Sequence, residues 1–205
     1  MRPLKNVRLI TAAVLVAAAS APAQAASLTI VEVGFPAVNC VFNPGCTITV
    51  NDTVGNIPLP GIDGAFLQSR NFTGAAGTPG AGKQGYMYRV DLRQAAGFAE
   101  CLIGLVLNFG PVTKLPYQSG SPPADVFVGT SGGLGTIKVK SAEQDGDFIT
   151  FTFSEYLCVG PAPNNANTTF FFGLAATTPP KAIKAGMFGF GSPAYLEVDA
   201  RVPQH

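Results

Sequence analysis

Phe148-Ile149-Thr150-Phe151-Thr152-Phe153 alternates without a break. Successive side chains of an extended chain point to opposite faces, so Ile149, Phe151 and Phe153 share one side and Thr150 and Thr152 the other. Such a segment is a strand whose apolar face needs a second layer to cover it. Just ahead of it, Asp145-Gly146 has the chemistry of a tight hairpin turn, which predicts an antiparallel partner at Thr136–Lys140.

The same grammar runs outward in both directions. Turn residues recur about every ten positions, the spacing of a sandwich or barrel. Strands are expected at Leu28–Val33, Ala65–Phe72, Asp125–Gly129 and Ala194–Val202. Cys46-Thr47-Ile48-Thr49-Val50 also alternates, with Cys46, Ile48 and Val50 on the buried side. Residues 51–64, with Pro58, Pro60, Gly61 and Gly64, read as a loop, and Gly74–Gly85 as an exposed one. From Tyr86 a half-buried strand is expected: Tyr86, Tyr88, Val90 and Leu92 face one side, Met87, Arg89 and Asp91 the other. Glu100–Phe109 is more continuously apolar, as a central strand covered on both faces would be, and Leu92–Ala99 has the alternative of a short helix leading into it. Thr168–Leu174 carries Phe170-Phe171-Phe172, whose rings must point to both faces; it reads as a deeply buried strand with core and inter-element contacts. The fold class is therefore all-β: a single antiparallel β-sandwich, jelly-roll-like, of about 9–11 strands.

The N-terminus has a different pattern. Arg2, Lys5 and Arg8 precede an apolar run from Leu9 to Ala19, and Ala23-Gln24-Ala25 is a small-residue cleavage site. That layout is a secretory signal peptide over residues 1–25, with the domain at 26–205. The run is too short for the roughly 20 residues of a membrane span. The chain has 13 Lys+Arg and 12 Asp+Glu; without the three basic residues of the leader, 10 face 12, a net charge of −2. No basic cluster marks a nucleic-acid footprint, and no membrane span is expected after processing. Gly (24) and Pro (17) outnumber what helices tolerate, while 47% apolar residues are enough for a packed core.

Cys40, Cys46, Cys101 and Cys158 all lie in the mature part. An even number in an exported chain predicts disulfides. The favoured pairing is Cys40–Cys46 around the Asn43-Pro44-Gly45 turn, and Cys101–Cys158 between two distant apolar segments. A four-cysteine zinc site is the rival, but the usual C-x2-C pairs are missing.

Several motifs match chemistry only in part. Gly129-Thr130-Ser131-Gly132-Gly133 has the serine-nucleophile pattern. A base is needed beside the hydroxyl, and the one histidine, His205, is the last residue. Gly77-Thr78-Pro79-Gly80-Ala81-Gly82-Lys83 has the phosphate-loop spacing, but Gln84 stands where Ser or Thr would hold the metal. Glu143, Asp145 and Asp147 are weak calcium candidates at a hairpin tip, lacking the remaining ligands of a calcium loop. Tyr86 and Tyr88, two apart, are candidates for a ligand-stacking face, with burial against a second sheet as the plainer reading. Asn51, Asn71 and Asn167 begin glycosylation sequons. No catalytic residue, cofactor site or firm metal site emerges.

Three strings carry a resemblance: Val126-Phe127-Val128-Gly129-Thr130-Ser131-Gly132-Gly133-Leu134-Gly135, Phe148-Ile149-Thr150-Phe151-Thr152-Phe153, and Thr169-Phe170-Phe171-Phe172-Gly173-Leu174-Ala175. Over roughly residues 85–203 the chain resembles exported proteobacterial β-sandwich proteins of the PEP-CTERM sorted group. The resemblance implies surface or matrix roles linked to exopolysaccharide and biofilm, and no catalytic residues. Ala200-Arg201-Val202-Pro203-Gln204-His205 stands where such proteins begin their Pro-Glu-Pro anchor, a departure from the pattern.

The expected function is a secreted, non-enzymatic structural or binding module of the bacterial surface or matrix, with extracellular polysaccharide or a surface protein as partner. The alternatives are a fimbrial-type polymerising subunit, with Leu28–Val33 as the donated strand, and a secreted hydrolase working with carboxylates alone.

Overall fold

Alternation and turn chemistry resolve into two six-stranded sheets packed face to face. The computed structural model describes residues 25–96, 101–132, 134–159, 167–189 and 195–205. The expected leader lies outside them, apart from Ala25. The early elements are β1 (Ala26–Ser27), β2 (Ile30–Gly34), α1 (Phe35–Phe42), β3 (Asn51–Asn56), β4 (Phe66–Thr73), β5 (Gln84–Asp91) and β6 (Cys101–Asn108). The later ones are β7 (Val126–Ser131), β8 (Val139–Asp145), β9 (Phe148–Cys158), β10 (Phe171–Ala176), β11 (Pro180–Gly189) and β12 (Leu196–Pro203).

One sheet runs β1-β8-β9-β6-β11-β12 and keeps its outer face open to solvent. The other runs β2-β7-β10-β5-β4-β3, and its outer face is partly roofed by α1 and loops. Between them lies the main core, with Tyr86, Tyr88 and Phe172 from the covered sheet against Leu105, Leu107, Phe151 and Met187 from the open one. Phe172 meets Phe151 at 4.9 Å between ring centroids. The segment Ala26–Gly34 crosses from one sheet to the other: β1 pairs with β8, and β2 with β7. Thr29 marks the crossing, its N–H donating to Asp125 Oδ2 at 2.9 Å.

The hairpin expected at Asp145-Gly146 is present. Asp145 pairs with Phe148, and Gly146 takes the positive φ (57°) that the turn requires. Its first strand is β8, later than the expected Thr136–Lys140. Both disulfides form as favoured, and Cys101 and Cys158 stand directly opposite each other on β6 and β9.

Several expectations need correction. β2 runs parallel to β7, the one parallel pairing between named strands in an otherwise antiparallel fold. Twelve strands are present among the described residues, and β11 was not anticipated. Cys46–Val50 alternates in exposure but pairs with no strand; the edge strand forms instead at Asn51–Asn56, at the head of the expected 51–64 loop. The helix α1 is also new. Pro36 fits its first turn, Val38, Val41 and Phe42 form its buried stripe, and Asn43-Pro44-Gly45 ends it. Because α1 and its loops cover that side, Met87, Arg89 and Asp91 are buried as well, so β5 is enclosed on both faces. Gly74–Gly85 is not freely exposed: the Gly80 N–H donates to the Val41 carbonyl at 2.8 Å, beneath Phe42. From Leu92 to Ala96 the chain makes a turn, not a helix; residues 97–99 lie outside the described part.

Candidate binding face

The open sheet brings together side chains from strands far apart in sequence. Asn108, Phe148 and Asp145 are successive cross-strand partners on β6, β9 and β8. Val106 pairs with Thr150 on one side and with Gly186 on the other. Lys184 on β11 stands opposite Asp199 on β12. These residues and Tyr195 line a groove of about 450 Å³.

Two aromatic rings flank the groove, Phe148 at 53% exposure and Tyr195 at 63%. Tyr195 lies across Gly186, where a Cβ would stand 3.1 Å from its Cδ1. The glycine therefore lets the ring lie close over the floor of the groove. Tyr195 also meets Phe188 edge-on at 6.0 Å between centroids, which limits its freedom. Polar groups line the groove as well. Lys184 Nζ is 2.7 Å from Asp199 Oδ1, and Asn108 Oδ1 is 2.8 Å from His205 Nε2. Asp145 and Thr150 complete the lining with a carboxylate and a hydroxyl. Exposed rings with a few hydrogen-bonding groups beside them suit a ligand with apolar faces and polar edges.

The residues singled out by sequence fall elsewhere. Tyr86 and Tyr88 are fully buried in the main core and offer no ligand face. Their hydroxyls donate to the Thr178 and Arg201 carbonyls, at 2.8 and 2.6 Å. Burial pushes both phenols well above their ordinary range. Glu143, Asp145 and Asp147 are exposed and do not converge; no group of three metal-ligating side chains forms among the described residues. Ser131 ends β7 beside Gly34, whereas the His205 ring contacts Asn108 and the Pro203 carbonyl. His205 is thus held against a different element from the serine. Gly129 has a packing role, since a Cβ there would collide with the Phe35 ring. The phosphate-loop match at 77–83 leads into β5, a strand, so no helix N-terminus faces it. Asn71 and Asn167 are buried, while Asn51 is exposed.

The covered sheet holds the strongest electrostatic coupling. Asp91 accepts from Arg93 through Nε and Nη2, the latter at 2.6 Å, and lies 3.3 Å from Arg89 Nη2. Burial alone would raise the Asp91 carboxyl, but the Arg93 hydrogen bonds and the two guanidinium charges hold it below its ordinary value. Burial lowers the Arg89 guanidinium against the pull of Asp91. Arg70 and Arg89 both stack on Phe171, at 4.6 and 5.1 Å from its centroid. A second groove, of about 360 Å³, opens beside Arg70 between α1 and the Ile48–Val50 segment. Arg70 is already paired with Asp52 at 3.0 Å, so this cluster has the character of a structural network.

Sequence reading missed Phe148 and Tyr195 as site residues. A signal for the first existed: Phe148 shares the parity of Thr150 and Thr152, an aromatic placed on the polar face of its strand. Tyr195 had none, because its place beside Gly186 depends on the pairing of β11 with β12. No protein-family model matches this sequence, and no curated protein or solved structure is found to be similar to it.

Proposed function

We propose that this chain is an exported, non-catalytic binding module whose open sheet face holds a polysaccharide. The observation that carries the reading is the pair Phe148 and Tyr195, two exposed rings flanking a groove with Asp145, Thr150 and Lys184 in its lining. A pyranose presents C–H faces that stack on such rings and hydroxyls that reach the polar groups of the lining. A protein partner would favour a continuous apolar centre, and this groove mixes charge and ring throughout.

Two disulfides are compatible with an oxidising secreted or periplasmic compartment. No helix among the described residues is long and apolar enough to cross a membrane. The leader pattern and the resemblance to PEP-CTERM sorted proteins favour a surface or matrix setting. The polymerising alternative needs a free N-terminal strand, yet Ile30–Gly34 pairs with β7 of its own domain. A carboxylate hydrolase needs two carboxyl groups facing the substrate, and among the described residues the groove lining holds one, Asp145.

Retention of the mature domain on a panel of immobilised polysaccharides tests the reading. One polymer class should retain it, and Phe148→Ala with Tyr195→Ala should release it. Equal retention of that double variant would overturn the assignment of the groove.

A further inference from the structure

We infer that the polymer lying between Phe148 and Tyr195 carries protonated amino groups, as a hexosamine chain that is not fully N-acetylated does. The inference rests on the polysaccharide reading above and narrows it by charge. Lys184 is the cation in the groove lining, and Asp199 neutralises it at 2.7 Å. Asp145 lines the same groove, its cross-strand partner on β9 being Phe148, and Ala26, the first residue after the expected leader, stands opposite the neighbouring Gln144. Glu143 stands on the same face of β8, opposite the groove residue Thr150. Glu197 stands opposite Gly186, the glycine beneath Tyr195. The Lys184–Asp199 pair thus cancels itself, His205 beside Asn108 faces Asp147 at 3.9 Å, and Glu143, Asp145 and Glu197 outnumber a further cation, the Ala26 amino group opposite Gln144. A uronate polymer would meet repulsion along the whole groove. An ammonium gains from the carboxylates and from the negative faces of the rings, which attract cations. The carboxylates do not form a metal-ligating group among the described residues, so a spread-out polycation suits them better than a point ion.

Three soluble probes decide between the outcomes: a glucosamine hexamer, its fully N-acetylated counterpart and a galacturonate hexamer. Calorimetry is run at about pH 5.5, between the ranges in which carboxylates and amines ordinarily change charge. At low salt the glucosamine hexamer should bind about tenfold more tightly than the N-acetylated one, the effect of about 1.4 kcal/mol. The advantage should shrink at about 0.5 M salt, where exposed charges are screened. Glu143→Gln with Asp145→Asn should narrow the gap. Equal or tighter binding of the N-acetylated or galacturonate hexamer overturns the amino-group inference and leaves the polysaccharide reading standing. Failure of all three to bind overturns the amino-group inference, while the polysaccharide reading falls only if the whole panel of polymers also fails to retain the domain.

Discussion

Tyr88 donates its hydroxyl proton to the Arg201 carbonyl at 2.6 Å, tying the middle of the covered sheet to β12 at the edge of the open one. Tyr86 makes the parallel bond to Thr178 in the segment that enters β11. Both rings lie in the main core, so each hydroxyl and its acceptor must satisfy each other. Tyr88→Phe leaves the partly buried Arg201 carbonyl without this donor and is expected to cost about 0.5–1.5 kcal/mol. Urea denaturation measures it; an unchanged midpoint would mean that the bond does not hold the sheets together.

The same burial sets an alkaline limit. The folded state holds the phenols of Tyr86, Tyr88 and Tyr117 above their unfolded values, because desolvation disfavours the phenolate. Folding then binds protons that the unfolded chain releases, so stability present below about pH 10 falls as pH rises past it. Phenolate absorbance at 295 nm should rise in two stages, the second coinciding with loss of near-ultraviolet circular dichroism. A single early stage in the folded protein would contradict the burial of these rings.

The two disulfides should contribute unequally. In the chain-entropy view, the Cys40–Cys46 loop of six-residue separation is worth about 2 kcal/mol, and the Cys101–Cys158 loop of 57 about 4. Cys101→Ala with Cys158→Ala should therefore lower the melting temperature more than Cys40→Ala with Cys46→Ala. The reverse order would indicate that the short bridge, through α1, stabilises the fold beyond its loop entropy.

Asp91 gives the acid limit. Its carboxyl is depressed in the fold, so the stability it contributes is complete above the unfolded value near pH 4 and is lost as pH falls through the folded one. Asp91→Asn removes the charge that faces buried Arg89, and breaking such a pair costs about 3–5 kcal/mol. Melting curves of the variant and the original chain should lie far apart at neutral pH and converge towards low pH. Parallel curves across the acid range would show that Asp91 does not carry this dependence.

Local rules revealed much of the architecture, and they stop where partners matter. The strand at Phe148 and its turn at Asp145-Gly146 were readable because both signals lie within a few residues. The cysteine pairs were readable because four cysteines behind a leader pattern predict disulfides, and the Asn43-Pro44-Gly45 turn lies between the first two. Cys46–Val50 misled because alternation reports exposure, while a strand also needs a neighbour to take its hydrogen bonds. Met87, Arg89 and Asp91 looked outward because period-2 reading sees one covered face; α1 and its loops cover the other. The β2–β7 pairing depends on residues almost a hundred positions apart, with Ile30 against Val126. The candidate groove was hidden for the same reason. Phe148 and Tyr195 belong to strand systems that the sequence separates and the sheet reunites.

Amide chemical-shift mapping of the oxidised domain, residues 26–205, titrated with the polysaccharide that retains it, locates the ligand on one sheet or the other. Shifts are expected to cluster on Val106, Phe148, Thr150 and Gly186 of the open sheet. Shifts confined to Arg70, Met87 and Phe171 on the covered sheet would contradict this placement.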